Sequence, residues 1–244
     1  MHILECHYHD NIRLLYNDLI KKSEYDILKC YQVDTQLPNL QKFYTLQINL
    51  NENLNDIFKK FAKNTRNEIN KCYRDDKLLF LINEKINQKD IVEFIILFNK
   101  FNKFKNLGTN VNELEKSLVR KKENIAFFKA VKDNRIVVFN VYFVDNNRAR
   151  LKCSVSLRGE DGKERNLIGR ANRTLHFEAI SFFKEKGYKL YDMGGVSLTE
   201  DKMGIDSFKS KFGGILFTEW EGNCPISMKG KLFIELYKII NKLK

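Results

Sequence analysis

Apolar residues recur along this chain with two periods, and the changes of period outline its elements. Thr45-Leu46-Gln47-Ile48-Asn49-Leu50 alternates strictly, the mark of a half-buried strand. From Leu54 to Tyr73 the spacing is helical, with Leu54, Ile57, Phe58, Phe61, Ile69 and Cys72 on one side. Lys77–Asn83 reads as a strand, Lys89–Phe104 as a long helix with the core stripe Ile91, Phe94, Ile95, Phe98 and Phe101, and Val111–Lys122 as a basic helix. The pattern then turns to strands: IAFFKAV from Ile125, a turn at Asp133-Asn134, IVVFNVYFV, a turn at Asp145-Asn146-Asn147, and RARLKCSVS. Tight turns make this an antiparallel meander, and its middle strand, apolar on both faces, needs cover on both sides.

After the meander, Asn166-Leu167-Ile168-Gly169-Arg170-Ala171-Asn172-Arg173 is expected as a loop. It precedes a helix with Leu175, Ala179, Phe182 and Phe183 on one face and Gly187 as its stop. A strand, Tyr188–Met193, leads into Gly194-Gly195; the basic-aromatic loop GIDSFKSKFGG follows, and Ile215–Glu221 closes the sheet. The order of these elements predicts an α/β domain over 45–228 with a mixed, mostly antiparallel sheet flanked by helices. Residues 1–44 form an extension of unassigned role, with Ile12, Leu15, Leu19 and Ile20 suggesting a short helix and Pro38 a turn. Residues 229–244 pair Leu232, Phe233, Leu236, Ile239, Ile240 and Leu243 with five lysines. That pattern suits a helix packed on the domain and also a peripheral membrane contact.

Composition narrows the setting. With 244 residues and 43% hydrophobic content the chain can bury a full core. It has no long apolar run and no basic-then-apolar start, and its five scattered cysteines lack a C-x-x-C pair, so a cytoplasmic location with reduced thiols is expected. His2, His7 and His9 cluster without a partner at zinc spacing, so exposed histidines and no metal are expected. The net charge of +12 attracts anions such as nucleotides, CoA, RNA or an anionic membrane, without choosing among them.

A helix N-terminus preceded by small residues offers outward N–H groups and a favourable dipole to phosphate. On that reading Gly169 and Ala171 remove bulk beside Ile168, while Arg170 and Arg173 add charge; an ordinary loop with Asn172 as N-cap gives the same pattern. No G-x-S-x-G is present, and His176 is the only histidine beyond residue 9, so direct attack is expected rather than a covalent nucleophile. Proton acceptors to weigh are Asp192 and Tyr191 at a strand end and His176 in the first turn of the helix, although Asp192 also suits a turn cap and His176 a packed histidine.

The spacing polar-x-x-Gly-x-Ala resembles the acyl-CoA pyrophosphate loop of the GNAT acetyltransferases, with Asn166 where that family prefers Gln or Arg. KNTRNEINK, GYKLYDMGGV and GIDSFKSKFGG together resemble the Fem-type branch of that superfamily over residues 45 to 221. These are peptidoglycan-bridge aminoacyltransferases and single-domain acyltransferase relatives. The resemblance implies a single GNAT-like domain that passes an acyl group to an amine on a cell-envelope precursor. It makes Arg66, Lys209, Lys211 and Phe212 substrate-channel residues and the Ile168–Arg173 stretch a cofactor clamp. One evident domain and a CoA-like loop imply acyl-CoA, acetyl-CoA foremost, as donor; the alternative donor is aminoacyl-tRNA. A non-catalytic RNA-binding module is a third reading, on charge and on the basic-aromatic runs Phe98–Lys105 and Phe208–Phe212.

Overall fold

The computed structural model describes residues 1–7, 11–22, 24–198 and 203–242. His9 and Leu243 lie outside the described residues. The described elements, in chain order, are β1 (Ile3–His7), α1 (Ile12–Lys22), β2 (Ile27–Val33), β3 (Gln41–Asn49), α2 (Leu54–Lys60), α3 (Lys63–Lys71) and β4 (Leu79–Asn83). There follow α4 (Gln88–Lys105), α5 (Val111–Arg120), β5 (Ile125–Lys132), β6 (Arg135–Val144), β7 (Arg148–Ser156), α6 (Gly162–Glu185), β8 (Leu190–Val196), α7 (Met203–Ser210), β9 (Ile215–Pro225) and α8 (Met228–Lys242). The chain is α/β and divides into two compact units: Leu46–Gly194 with Gly204–Ile215, and Met1–Thr45 with Gly195–Met203 and Leu216–Lys244.

In the larger unit the strands run in the order β8-β7-β6-β5-β4. The expected meander is present, with β5–β6 and β6–β7 antiparallel, and β8 joins β7 in parallel, which makes the sheet mixed. Alternate side chains of the central strands serve two layers. Phe127, Phe139, Val141 and Val155 bury one face against Ile91, Phe94 and Phe98 of α4 and Leu114 and Leu118 of α5. On the other face Phe128 and Tyr142 meet Phe183 of α6 at ring-centroid distances of 5.2 and 5.3 Å. Each fully buried ring contributes roughly 1.5–3 kcal/mol of transfer free energy, so the two layers explain why β6 carries apolar residues on both faces.

Three boundaries differ from the sequence pattern. The helix expected over Leu54–Tyr73 breaks at Phe61 and Ala62, both extended, and continues past α3 as a π-helical turn, Cys72–Asp76. Packing outweighs propensity at the break: Phe61 is buried against Phe212, with centroids 5.1 Å apart, and Ala62 N–H donates to the Lys211 carbonyl at 2.9 Å. Part of the loop GIDSFKSKFGG is helical, as α7. Most consequential, Asn166–Arg173 is not a loop but the interior of the 24-residue α6, whose N-cap is Asp161 rather than Asn172. Gly169 costs that helix about 1 kcal/mol relative to alanine, and burial of Ile168 and Ala171 on either side offsets it.

The smaller unit holds the N-terminal segment that the sequence left as an extension. Its strands run β1-β2-β9, with β1 parallel to β2 and β9 antiparallel to it. Cys6, Ile12, Leu19, Leu28, Cys30, Val33 and Cys224 form its core. Helix α8 starts at Ser227, whose Oγ donates to Asp26 Oδ1 at 2.7 Å and accepts from Gly230 N–H at 3.0 Å. A Cβ on Gly230 would fall 2.0 Å from the Asp26 carbonyl oxygen, so only glycine permits this approach.

Candidate active site

The site grows from the parting of two parallel strands. β7 and β8 pair only at Arg148↔Leu190, Ala149↔Tyr191 and Arg150↔Asp192; β7 then keeps its ladder with β6 as far as Ser156. Gly194 follows the last pair, with φ +76° and its N–H bonded to Asp192 Oδ1 at 2.7 Å. A side chain there would stand 2.8 Å from the Leu151 carbonyl oxygen and 3.8 Å from Lys209 Nζ. The glycine therefore keeps a carbonyl, an ammonium and a strand end within reach of one small volume. α7 supplies the ammonium, since Lys209 lies in its last turn.

Asp192, a proposed proton acceptor, is fully buried. Its Oδ2 accepts from Arg148 Nε at 3.0 Å and from a second nitrogen of the same guanidinium, Arg150 Nε lies 3.8 Å away, and Oδ1 holds the Gly194 amide. Both oxygens are engaged, so Asp192 acts as a cross-link between β7 and β8. Removal of its counter-charges would leave a buried carboxylate uncompensated, a cost of several kcal/mol.

Tyr191 and His176 belong to a second buried set. His176 Nδ1 lies 2.6 Å from the Tyr191 hydroxyl, which lies 2.8 Å from the Tyr142 hydroxyl, to which Asn140 Nδ2 donates at 3.3 Å. The Asn140 amide donates to Tyr142, and donor and acceptor in the two contacts beyond it follow the tautomer of the imidazole. Burial, with Lys209 adding to it, pushes the His176 pKa down from 6.5 to about 3. Burial, helped by the Tyr142 hydroxyl, pushes Tyr191 well above the usual phenol range. The set is thus neutral at physiological pH and positions rather than ionises. His176 sits in the middle of α6 rather than in its first turn, so burial and not the helix N-terminus keeps it neutral.

His176 is tied to α7 by rings. Its centroid lies 5.7 Å from that of Phe208 and 5.2 Å from that of Phe212, and the Arg173 guanidinium lies 5.5 Å from the Phe208 centroid. Burial lowers the Arg173 pKa from its ordinary value, and Nη1 donates to the Gly169 carbonyl at 2.7 Å. Among the described residues, the buried side-chain polar atoms without a hydrogen-bond partner within the protein include, beside Asn140 Oδ1, three that cluster here: Arg173 Nε, Asn172 Oδ1 and Thr65 Oγ1. All three belong to α3 and α6, which pack together.

The remaining proposed residues are employed differently. Arg170 makes a two-point ion pair with Asp76 of the π-helical turn at 2.6 and 2.7 Å. Ile168 and Ala171 face the core. Arg66 Nη1 closes the end of α2 on the carbonyls of Lys59, at 2.8 Å, and Phe61. Lys211 is exposed, with its carbonyl holding Ala62, while Phe212 is 1% exposed between Phe61 and His176. His176, Tyr191, Arg173, Lys209 and Phe212 are brought together, and Arg66, Arg170 and Lys211 are not. Sequence reasoning missed Asn140, Tyr142 and Arg148; the signals were an asparagine inside the apolar run VVFNVYFV and arginines alternating in RAR.

The N-terminus of α6 is filled by the chain itself. Asp161 Oδ1, the N-cap, accepts from Glu164 N–H at 2.8 Å, and Glu164 Oε2 accepts from the N–H of Glu160, one residue before the cap, at 2.6 Å. Beside it lies a cleft of about 620 Å³ lined by Lys71, Lys132, Arg135, Lys163 and Arg170 with Asp133 and Glu164.

No family model and no curated relative matches this sequence. Solved structures do. A crystal structure of FemX superposes with a TM-score of 0.65 at 11% identity, covering 91% of this chain and 77% of that one. The C-terminal domain of a putative lysylphosphatidylglycerol synthetase from Agrobacterium fabrum gives 0.57 at 13% identity, covering 97% and 81%. L-PGS from Bacillus licheniformis gives 0.53 at 12% identity, covering 96% and 81%. The chain has the Fem-type, GNAT-like fold that these structures share.

Proposed function

We propose that the larger unit transfers an aminoacyl group, carried as an ester on tRNA, to an amine of a cell-envelope precursor. The observation that carries the choice of donor is the course of α6. The stretch from Ile168 to Arg173 spends its amides inside a helix, and the first turn of that helix is capped by Asp161 and Glu164. A CoA pyrophosphate needs open amides at a helix start; here the Glu164 amide is taken by Asp161, and the Glu160 amide just before the helix by Glu164. The fold shared with FemX supports the same donor through the aminoacyltransferase reading of the Fem-type resemblance.

In the transfer, the lone pair of the acceptor amine adds to the ester carbonyl, the tetrahedral intermediate collapses, and the ribose oxygen leaves with a proton from the amine. The chain supplies position and charge. Lys209, beside Gly194, stabilises negative charge on the carbonyl oxygen or the leaving oxygen. Arg173, Asn172 and Thr65 offer polar atoms to the acceptor. The neutral set His176, Tyr191 and Tyr142 fixes α6 against β8 so that these groups stay in register.

Filter retention of charged tRNA and a thermal shift with acetyl-CoA test this reading. Retention of tRNA is expected, with transfer to an amine lost in Lys209→Met while retention persists. A ligand present at about 100 times its Kd stabilises by about 2.7 kcal/mol; a stabilisation of that size with acetyl-CoA, without tRNA retention, would overturn the donor assignment.

A further inference from the structure

Helix α8 packs by one face and leaves its apolar face outside. Gly230 and Ile234, one turn apart, are its buried residues among the described side chains. Leu232, Leu236, Ile239 and Ile240 are 51% to 64% exposed, and Phe233 is 45% exposed. At about 3.6 residues per turn the row Gly230–Ile234 and the row Leu232–Leu236–Ile239 lie on opposite sides of the helix. The residues that make this helix amphipathic are therefore not the ones that hold it to its unit. Isolated exposed leucines are ordinary; a continuous row is the mark of an interaction surface.

Charge selects the occupant. The helix carries four lysines against one glutamate; Glu235 lies 3.0 Å from Lys238, and Asp26, before β2, lies 4.0 Å from Lys229. A second copy docked face to face would set lysines against lysines, whereas an anionic surface would neutralise them. No described helix is long and apolar enough to cross a membrane, so the contact lies along a surface. We propose that α8 lies in the headgroup region of an anionic bilayer, with Leu232, Phe233, Leu236, Ile239 and Ile240 entering the acyl boundary and the lysines meeting lipid phosphates.

Co-sedimentation of the full chain with vesicles tests this. Association with phosphatidylcholine vesicles containing phosphatidylglycerol is expected, weakened by salt, with little association with phosphatidylcholine alone. Leu236→Glu combined with Ile240→Glu alters two exposed positions, so circular dichroism should be unchanged while vesicle association falls by about tenfold or more. Lys231→Glu with Lys242→Glu, which leaves the Lys229–Asp26 pair at the helix start in place, should remove the preference for anionic lipid. The proposal is overturned if the wild-type chain stays in the supernatant with anionic vesicles, if the double glutamate variant still associates, or if the wild type is a dimer in light scattering that this variant splits. These readouts need no donor or acceptor, so they stand or fall separately from the aminoacyl-transfer reading.

Discussion

His176 links the stability of the larger unit to pH. Its folded-state pKa of about 3 lies below the ordinary 6.5, so between these values the unfolded chain binds a proton that the folded chain refuses. The stabilisation is therefore complete above 6.5 and is lost as pH falls towards 3, at up to about 1.4 kcal/mol per pH unit. In His176→Gln that slope should flatten, and thermal melts of both proteins from neutral pH downward will show it; parallel decline would mean that another group carries the dependence. The sequence disclosed part of this residue set. Asp192 and Tyr191 stood out because a strand runs into two glycines, and His176 because histidine is rare here. Their partners Asn140, Tyr142 and Arg148 did not, because strand register, which no local pattern encodes, brings β6 and β7 to them. Local pattern likewise does not reveal how deeply a polar group is buried, and depth turns Asp192 from an apparent base into a cross-link.

At the scale of elements, the meander was legible because its turn at Asp133 and Asn134 adopts positive φ, which these residues tolerate. The start of α6 was not, because Gly169 reads as punctuation when its neighbours' burial is unknown. The same helix carries a sharp test in Arg170. Arg170 and Asp76 are 11% and 6% exposed, so Arg170→Ala strands a buried carboxylate and should cost about 3–5 kcal/mol by urea unfolding. Arg170→Met with Asp76→Leu should recover most of that loss. If the single change costs under about 1 kcal/mol, the pair behaves as an exposed surface bridge instead.

Across the whole molecule, the +12 charge should make tRNA retention steeply salt-dependent. Each neutralised phosphate adds about 0.7–0.9 to the slope of log affinity against log salt, so Lys71→Ala with Lys163→Ala should lower it by roughly 1.4–1.8 if the basic cleft holds RNA. An unchanged slope would place the phosphates elsewhere. Identities of 11–13% with structures of the same fold show how little of it depends on particular residues and how much on apolar period and turn placement. The chain enters the smaller unit as Met1–Thr45, returns as Gly195–Met203 and finishes it with Leu216–Lys244. Time therefore enters the assembly. On a ribosome adding about 5–20 residues per second, the first strands wait on the order of ten seconds or more for β9. In that interval β2 has an unpaired edge and the N-terminal apolar residues lack their cover.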